Sequence, residues 1–120
     1  MINYLVNEFH CDRRELLDLL SKDGSFIIKR GEDVAVFSKM SPGVVEGHYA
    51  FKSKGRKALD VAAGIIKDVF AHGVGVIVGK TPHTNKKARW FSRQLGFESI
   101  SDIDTIKGPV EVFMLKKGEE

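Results

Sequence analysis

Two basic segments of this 120-residue sequence hold the residue types that bind anions. The first, Lys52-Ser-Lys-Gly-Arg-Lys57, places a glycine among four cationic residues, and the second spans residues 80–93 with five more. Glycine lets a backbone come close to a phosphate, and the first amide N–H groups of a helix have no carbonyl partners. If a helix begins at the first segment, its composition predicts a pyrophosphate cradle. A solvated helix start would have the same composition.

The residues outside these two segments carry a net negative charge. The net charge is +3, yet the ten cationic residues outside the segments face all 16 acidic ones. No Asp or Glu lies between Gly47 and Leu59 or between Val69 and Phe97. A chain that is acidic except for two basic segments favours an anionic partner for those segments.

Glu46 and His48 are the side chains best suited to moving a proton. Their spacing of two residues places both on one face of a strand. An imidazole titrates near neutrality, whereas a glutamate would need burial to do so. The pair is therefore a candidate general base, although ordinary polar strand residues would show the same pattern. The four histidines lack metal-ligand spacing, so no metal site is predicted.

Hydrophobic periodicity predicts the elements that position these residues. The predicted order is an N-terminal strand, a helix after Asp12, strands at residues 25–30, 34–38 and 44–51, a helix at about 56–71, a strand at 74–78, a helix at 85–95, and strands at 97–103 and 110–115. Residues 116–120 are expected to form a frayed tail. Gly64, inside the second helix, predicts a close approach of another backbone.

This order predicts a single α+β (mixed α/β) domain over residues 1–120. Its mixed sheet would have about six to seven strands, flanked by about three helices. The strand-helix-strand unit at residues 44–78 would be parallel, between antiparallel pieces. Because parallel strands open on the same edge of a sheet, both basic segments are expected to line one crevice.

Composition also limits the compartment and the class of protein. A single cysteine excludes an internal disulfide and fits a reducing compartment. There is no apolar run of about 18 residues and no basic-then-apolar leader, so neither a membrane span nor a secretory signal is predicted. A cytoplasmic protein is expected.

The stretch Asn85-Lys-Lys-Ala88, followed by Phe91 and then Leu95-Gly-Phe97, resembles a segment of the GNAT family of N-acetyltransferases. In that family Asn and Ala open a helix that ends in Leu-Gly-Phe. The first basic segment lies where the family keeps its pyrophosphate loop for acetyl-coenzyme A (acetyl-CoA). The order of elements is similar over about residues 1–116. The stretch Gly-Lys-Thr-Pro-x-x-Asn at residues 79–85 looks most like small bacteriophage-encoded members, which would act in the host cytoplasm.

The resemblance implies a GNAT-like acyl-CoA N-acyltransferase fold that uses acetyl-CoA as cosubstrate. The amides of residues 54–57 would hold the pyrophosphate, Asn85 would face the pantetheine arm, and an amine would attack the thioester directly in a ternary complex. The cofactor-binding residues that it implies are Ala50, Phe51, Lys52, Lys54, Gly55, Arg56, Lys57, Ala58, Thr81, Asn85, Lys87 and Ala88.

The sequence departs from the family pattern at two places. In the loop, Lys52 stands where the family has Gln or Arg, Lys57 stands where it has Gly or Ala, and Ala58 comes one step late. Ser92, four residues before Gly96, takes the place where many members have a tyrosine acid for the leaving thiolate. Ser92 is therefore a weak candidate for that acid.

Three functions fit these observations. The first is an acetyl-CoA-dependent N-acetyltransferase acting on an unidentified amine, either a small molecule or a protein. The second is a catalytically inactive member of the same fold, serving as a binding or phage-associated structural protein. The third is a nucleic-acid-binding module that uses the two basic segments. The sequence leaves the oligomeric state open, a homodimer included.

Overall fold

The computed structural model describes residues 14, 17, 18 and 23–120. Residues 23–120 form six strands and two helices: β1 (Phe26–Arg30), β2 (Asp33–Ser41), β3 (Val44–Ala50), α1 (Gly55–Ala71), β4 (Val76–Pro82), α2 (Lys86–Gln94), β5 (Glu98–Thr105) and β6 (Gly108–Lys116). The predicted N-terminal strand lies outside the described residues. Of the helix predicted after Asp12, Arg14, Leu17 and Asp18 are described, and all three are helical. Neither α1 nor α2 is long and apolar enough to cross a membrane.

The six strands form one sheet in the order β1-β2-β3-β4-β6-β5. Every neighbouring pair is antiparallel except β3 and β4, which run parallel and are connected by α1. The predicted α+β class, with one parallel unit between antiparallel pieces, is confirmed.

α1 covers one face of this sheet with its apolar side. Its buried residues recur at helical spacing and are Ala58, Ala62, Ile65, Ile66, Val69 and Phe70. The last four of these pack with alternate residues of the strands, among them Phe37 of β2 and Val45 of β3, in one core. Because strand side chains alternate between faces, the odd-numbered residues of β3 lie on the α1 side of the sheet.

The strand at residues 74–78 was predicted too early in the chain. β4 begins at Val76 and continues to Pro82, because β6 pairs with it along its full length, from Lys116 to Val110. The predicted tail also starts too early, since Lys116 belongs to β6 and the N–H of Lys117 donates to the carbonyl of Gly75 at 2.9 Å. The other strand ends differ from the prediction by three residues or fewer.

β3 and β4 stay paired over a short distance only. Three residue pairs join them: Val44 with Val76, Val45 with Ile77, and Glu46 with Val78. Beyond Glu46, β3 continues beside β2, while β4 continues beside β6. The two strands therefore separate and leave a gap in the middle of the sheet, with α1 beginning at one side of it and α2 at the other.

Gly64 does not have the close neighbour predicted for it. A Cβ placed on Gly64 would meet no described atom within 4 Å beyond its own helix, and the residue is exposed. The glycine therefore costs backbone entropy in α1 without making room for a contact.

Replacing Gly64 with alanine should raise the free energy of unfolding by about 0.5 to 1 kcal/mol, because alanine loses less backbone freedom on folding. Gly55→Ala is the matched control. Gly55 has a φ of +59°, where a Cβ is strained, so the same change should lower the free energy of unfolding. Urea denaturation measures both, and a Gly64→Ala protein no more stable than the wild type would contradict this account.

Candidate active site

A cavity of about 220 Å³ lies between the end of β3, the start of α1 and the start of α2. It lies past the three residue pairs that join β3 to β4, and none of its lining residues belongs to β4. Its lining residues are Tyr49, Phe51, Ser53, Lys54, Gly55, Ala58, Asn85, Lys87, Ala88, Trp90 and Phe91. Residues of both basic segments line this cavity: Lys54 and Gly55 of the first and Lys87 of the second. This is expected, because parallel strands open on the same edge of a sheet.

One wall of the cavity is the start of α1. Lys54 is the N-cap residue, its side chain caps no described amide, and the first turn contains no acidic residue. The first amide N–H groups of α1 therefore keep their partial positive charge at the cavity rim. Such a helix start favours an anion.

Asp33 fixes the loop that leads into α1. Its carboxylate accepts hydrogen bonds from the backbone N–H of Lys52 at 2.8 Å and of Ser53 at 2.9 Å. Burial alone would raise the pKa of Asp33, but hydrogen bonds from the Ser53 side chain and from these two amides outweigh it and hold the pKa below its ordinary value. The loop is thus held by a charged group that is only 3% exposed. Nothing in the sequence connects Asp33 with a loop 20 residues later.

The opposite wall is the start of α2. Asn85 caps this helix, because its Oδ1 accepts a hydrogen bond from the N–H of Ala88 at 3.1 Å. The small side chain of Ala88 keeps the wall open next to Asn85. The Phe91 ring, one turn later, meets the Phe51 ring edge-on with centroids 6.0 Å apart. This contact joins the two walls at the bottom of the cavity.

Glu111 of β6 anchors α2 to the sheet. Its carboxylate accepts hydrogen bonds from Arg89 at 2.8 Å, Arg93 at 2.7 Å and Ser99 at 2.6 Å. The hydrogen bond from the Ser99 hydroxyl has the largest effect and lowers the pKa of Glu111. Burial raises this pKa, and the two guanidinium groups lower it again, so it lies below its ordinary value. Two cations of the second basic segment, Arg89 and Arg93, are therefore paired with a carboxylate of the protein itself.

Ion pairs within the protein also engage other cations of the two segments. Lys52 lies 3.1 Å from Glu32, and Arg56 lies 3.3 Å from Asp60, all on the exposed surface. Lys54 and Lys87, by contrast, line the cavity. The positive charge that an anion would meet here comes from these two lysines and from the helix starts.

Glu46 and His48 project from the face of β3 opposite the α1 side. His48 Nε2 lies 3.5 Å from Glu46 Oε2, and Lys80 Nζ lies 3.5 Å from Glu46 Oε1. Both strand residues are only partly exposed. Glu46 is also the last residue of β3 that pairs with β4, so this polar group stands where the strands separate.

The residues implied by the GNAT resemblance fall into two groups in the structure. Those that line the cavity are Phe51, Lys54, Gly55, Ala58, Asn85, Lys87 and Ala88. Those that do not are Ala50, Lys52, Arg56, Lys57 and Thr81, and Ser92 is likewise not a lining residue. Ala50 and Thr81 are buried within the sheet.

Four lining residues were not among those implied: Tyr49, Ser53, Trp90 and Phe91. Strand alternation could have found Tyr49, because it lies two residues before Phe51 and so shares its face. Trp90, which is 47% exposed, is the only tryptophan in the sequence.

No family model matches the sequence, and no curated protein matches it. Solved structures do match. One is the aminoglycoside acetyltransferase AAC(6')-Ib with coenzyme A and kanamycin, which is 17% identical, with 97% of this chain and 87% of that chain covered and a TM-score of 0.69. The IAA acetyltransferase from Bacillus cereus is 12% identical, with 95% and 90% covered and a TM-score of 0.77.

A third structure is a probable acetyltransferase of the GNAT family from Chromobacterium violaceum, which is 16% identical, with 89% of this chain and 64% of that chain covered and a TM-score of 0.70. The chain has the GNAT fold. In this GNAT fold the cavity lies past the paired part of the two parallel strands, between the two helix starts.

The anchor at Glu111 predicts a pH-dependent contribution to stability. A carboxylate whose pKa is lower in the folded than in the unfolded chain stabilises the fold above its unfolded pKa of about 4.3, and the contribution is lost as pH falls. Glu111→Gln should therefore lower the free energy of unfolding by about 1 to 3 kcal/mol at pH 7.

The difference between wild type and Glu111→Gln should shrink as pH falls from about 5 to 3. Glu98→Gln, which removes an exposed carboxylate on β5, is the control and should leave stability nearly unchanged. Urea denaturation across this pH range measures all three proteins. A Glu111→Gln deficit that does not depend on pH would contradict the assigned role.

Proposed function

We propose that this chain binds acetyl-CoA where β3 and β4 separate and transfers the acetyl group to an amine. The observation that carries the proposal is the gap after the Glu46–Val78 pair, bordered by the starts of α1 and α2. A GNAT-fold structure that covers nearly all of this chain, AAC(6')-Ib, contains coenzyme A. The fold and the cavity support the same ligand.

The start of α1 would hold the pyrophosphate. The amides of residues 54–57 have no helical partners, and the positive φ of Gly55 turns the backbone into the helix without a side chain in the way. Lys54 adds a charge at the cavity rim. Lys52, Arg56 and Lys57 do not line the cavity and would act at longer range.

The gap itself would hold the pantetheine arm and the thioester. The Asn85 oxygen is used by the Ala88 amide, so the side-chain NH₂ is the group that can donate to the ligand. Past Glu46, β3 pairs with β2 alone, so alternate backbone groups of residues 47–50 face the gap. One of their N–H groups can donate to the thioester carbonyl.

His48 is the proposed general base. The amine lone pair attacks the carbonyl carbon, a C–N bond forms, and the electrons of the C–S bond leave with sulfur. His48 takes the proton that the attacking nitrogen releases, and the Glu46 carboxylate, 3.5 Å away, stabilises the imidazolium. Water can then protonate the thiolate. The net products are the acetylated amine and coenzyme A.

A coenzyme A-binding protein without turnover is the second candidate. The observation that favours it is the position of Ser92, which is not among the residues that line the cavity. The nucleic-acid hypothesis is weaker, because Arg89 and Arg93 bind Glu111. The acceptor amine and a bacteriophage origin are finer proposals that rest on the sequence resemblance alone.

Binding can be followed through Trp90, which lines the cavity. Adding acetyl-CoA should change the fluorescence of this single tryptophan and stabilise the fold by about 2.7 kcal/mol at a concentration one hundred times the dissociation constant.

Lys54→Glu should weaken binding about tenfold or more, because it places a negative charge beside the phosphates. Lys107→Glu, at the exposed turn between β5 and β6, is the charge-matched control. No response of the wild type would rule out acetyl-CoA binding.

Turnover is tested with His48→Ala and Glu46→Gln in an assay of thiol release with a panel of amines. His48→Ala should lower kcat by about 10² to 10⁴ at pH 7 while acetyl-CoA affinity stays the same. The deficit should narrow at alkaline pH, where more of the amine is neutral. Binding without thiol release in the wild type would instead support the second candidate, and full activity of His48→Ala would remove the base assignment.

A further inference from the structure

A lysine side chain lies beside the proposed base. Lys80 Nζ lies 3.5 Å from Glu46 Oε1, and His48 Nε2 lies 3.5 Å from the other oxygen of the same carboxylate. Lys80 belongs to β4, whereas Glu46 and His48 belong to β3. The carboxylate thus has an amine on one side and an imidazole on the other. The proposed acetyl transfer uses the imidazole and the carboxylate but gives the amine no role.

The strand register places Lys80 across the gap from His48. The last pair that joins the two strands is Glu46 with Val78. Two residues further along each strand, on the same face of the sheet, come His48 and Lys80. Past that last pair β4 continues beside β6, where Lys80 lies opposite Val112. The imidazole and the amine therefore stand on the two sides of the gap where it begins.

Lys80 also lies on the face from which an acceptor amine would arrive. An amine that attacks a thioester in the gap has to come from the side that carries the base, so that its proton can reach the base. Glu46 and His48 project from the face of the sheet opposite α1, and Lys80 shares this face. Lys80 is therefore a primary amine on the acceptor side of the proposed reaction.

The amine can move toward the middle of the gap. The side chain of Lys80 is 43% exposed, and an exposed ion pair contributes little to holding a side chain in one place. The four-carbon stem of lysine is flexible. Because Nζ already contacts Glu46 from β4, the side chain reaches from one strand to the other at this level. Nζ can thus meet a carbonyl carbon that lies between the strands.

We propose that Lys80 is a self-acetylation site, whose amine accepts the acetyl group of acetyl-CoA bound to the same chain. This assignment rests on the proposed acetyl transfer. The ammonium form first gives a proton to water. The neutral amine then attacks the thioester carbonyl carbon, a C–N bond forms, and the electrons of the C–S bond leave with sulfur. His48 takes the second proton that the nitrogen releases, and water protonates the thiolate. The products are N-acetyl-Lys80 and coenzyme A.

Acetylation of Lys80 changes the site in two ways. It removes the positive charge, so Glu46 loses a cationic partner. It also leaves an amide on the face from which an external amine has to approach. The acetylated chain should therefore transfer acetyl groups to other amines more slowly. This form would accumulate when acetyl-CoA is present and an acceptor amine is scarce.

Incubation of the wild type with acetyl-CoA and no acceptor amine tests the assignment. Intact-mass spectrometry should show the addition of one acetyl group per chain, and peptide mapping should place it on Lys80. Lys80→Arg keeps a positive charge beside Glu46 but has no amine to acetylate, so it should lose this modification. Lys29→Arg, which replaces an exposed lysine on β1, is the matched control and should be acetylated as the wild type is.

Acetylation in the site has to be separated from the slow chemical reaction of acetyl-CoA with surface lysines. His48→Ala should lower the rate of acetylation at Lys80 about 10²- to 10⁴-fold, whereas chemical acetylation should not depend on His48. Transfer within one chain also predicts a rate that does not change with protein concentration. In a mixture, Lys80→Arg, which keeps the base, should not acetylate the Lys80 of His48→Ala.

The outcomes distinguish this assignment from the proposed function. Acetylation of Lys80 that depends on His48 supports it, even where no external acceptor has been found. If the wild type acetylates an added amine while Lys80 stays unmodified, self-acetylation is overturned and the proposed function stands. If Lys80 is acetylated no faster than Lys29, the modification is chemical and self-acetylation is overturned. If the wild type acetylates neither an added amine nor Lys80, both proposals fall together.

Discussion

The three residue pairs between β3 and β4 are the constraint on which the rest of the site depends. Had the pairing continued, the middle of the sheet would be closed and no ligand could reach the backbone of β3. Each strand has its other neighbour along its full length, β2 for β3 and β6 for β4, so the two can separate without losing their place in the sheet. The gap that results sets where both helices begin and therefore where the cavity lies.

Two buried carboxylates hold the walls of that gap. Asp33 binds the loop before α1 through two backbone amides, and Glu111 binds α2 through two arginines. Hydrogen bonds from the Ser53 side chain and the two amides hold the pKa of Asp33 below its ordinary value, and the Ser99 hydroxyl and the two arginines do the same for Glu111, so both carboxylates stay charged near neutrality. The walls are thus positioned by charge as well as by packing, on either side of a gap that contains no strand pairing.

The sequence predicted most of the fold because its signals are local. Hydrophobic spacing located α1, Asn85 marked the start of α2, and alternation placed Glu46 and His48 on one face of β3. The features that the sequence did not reveal depend on residues that are far apart in the chain. Arg89 and Arg93 belong to a segment whose composition favours an anionic partner, and only the structure shows that Glu111 of β6 binds both. The Tyr49 hydroxyl could not be recognised as unpaired without its surroundings, and Gly64, which suggested a close contact, has none in the described chain.

Backbone amide hydrogen exchange with and without acetyl-CoA tests the central claim, that the separation of β3 and β4 is a cofactor site. The account predicts slower exchange in two places when the ligand is present: the part of β3 at residues 47–50, and the start of α1 at residues 54–57. Exchange in β1 (Phe26–Arg30), at the far edge of the sheet, should not change. Bound acetyl-CoA that slows exchange elsewhere and leaves residues 47–50 unchanged would contradict it.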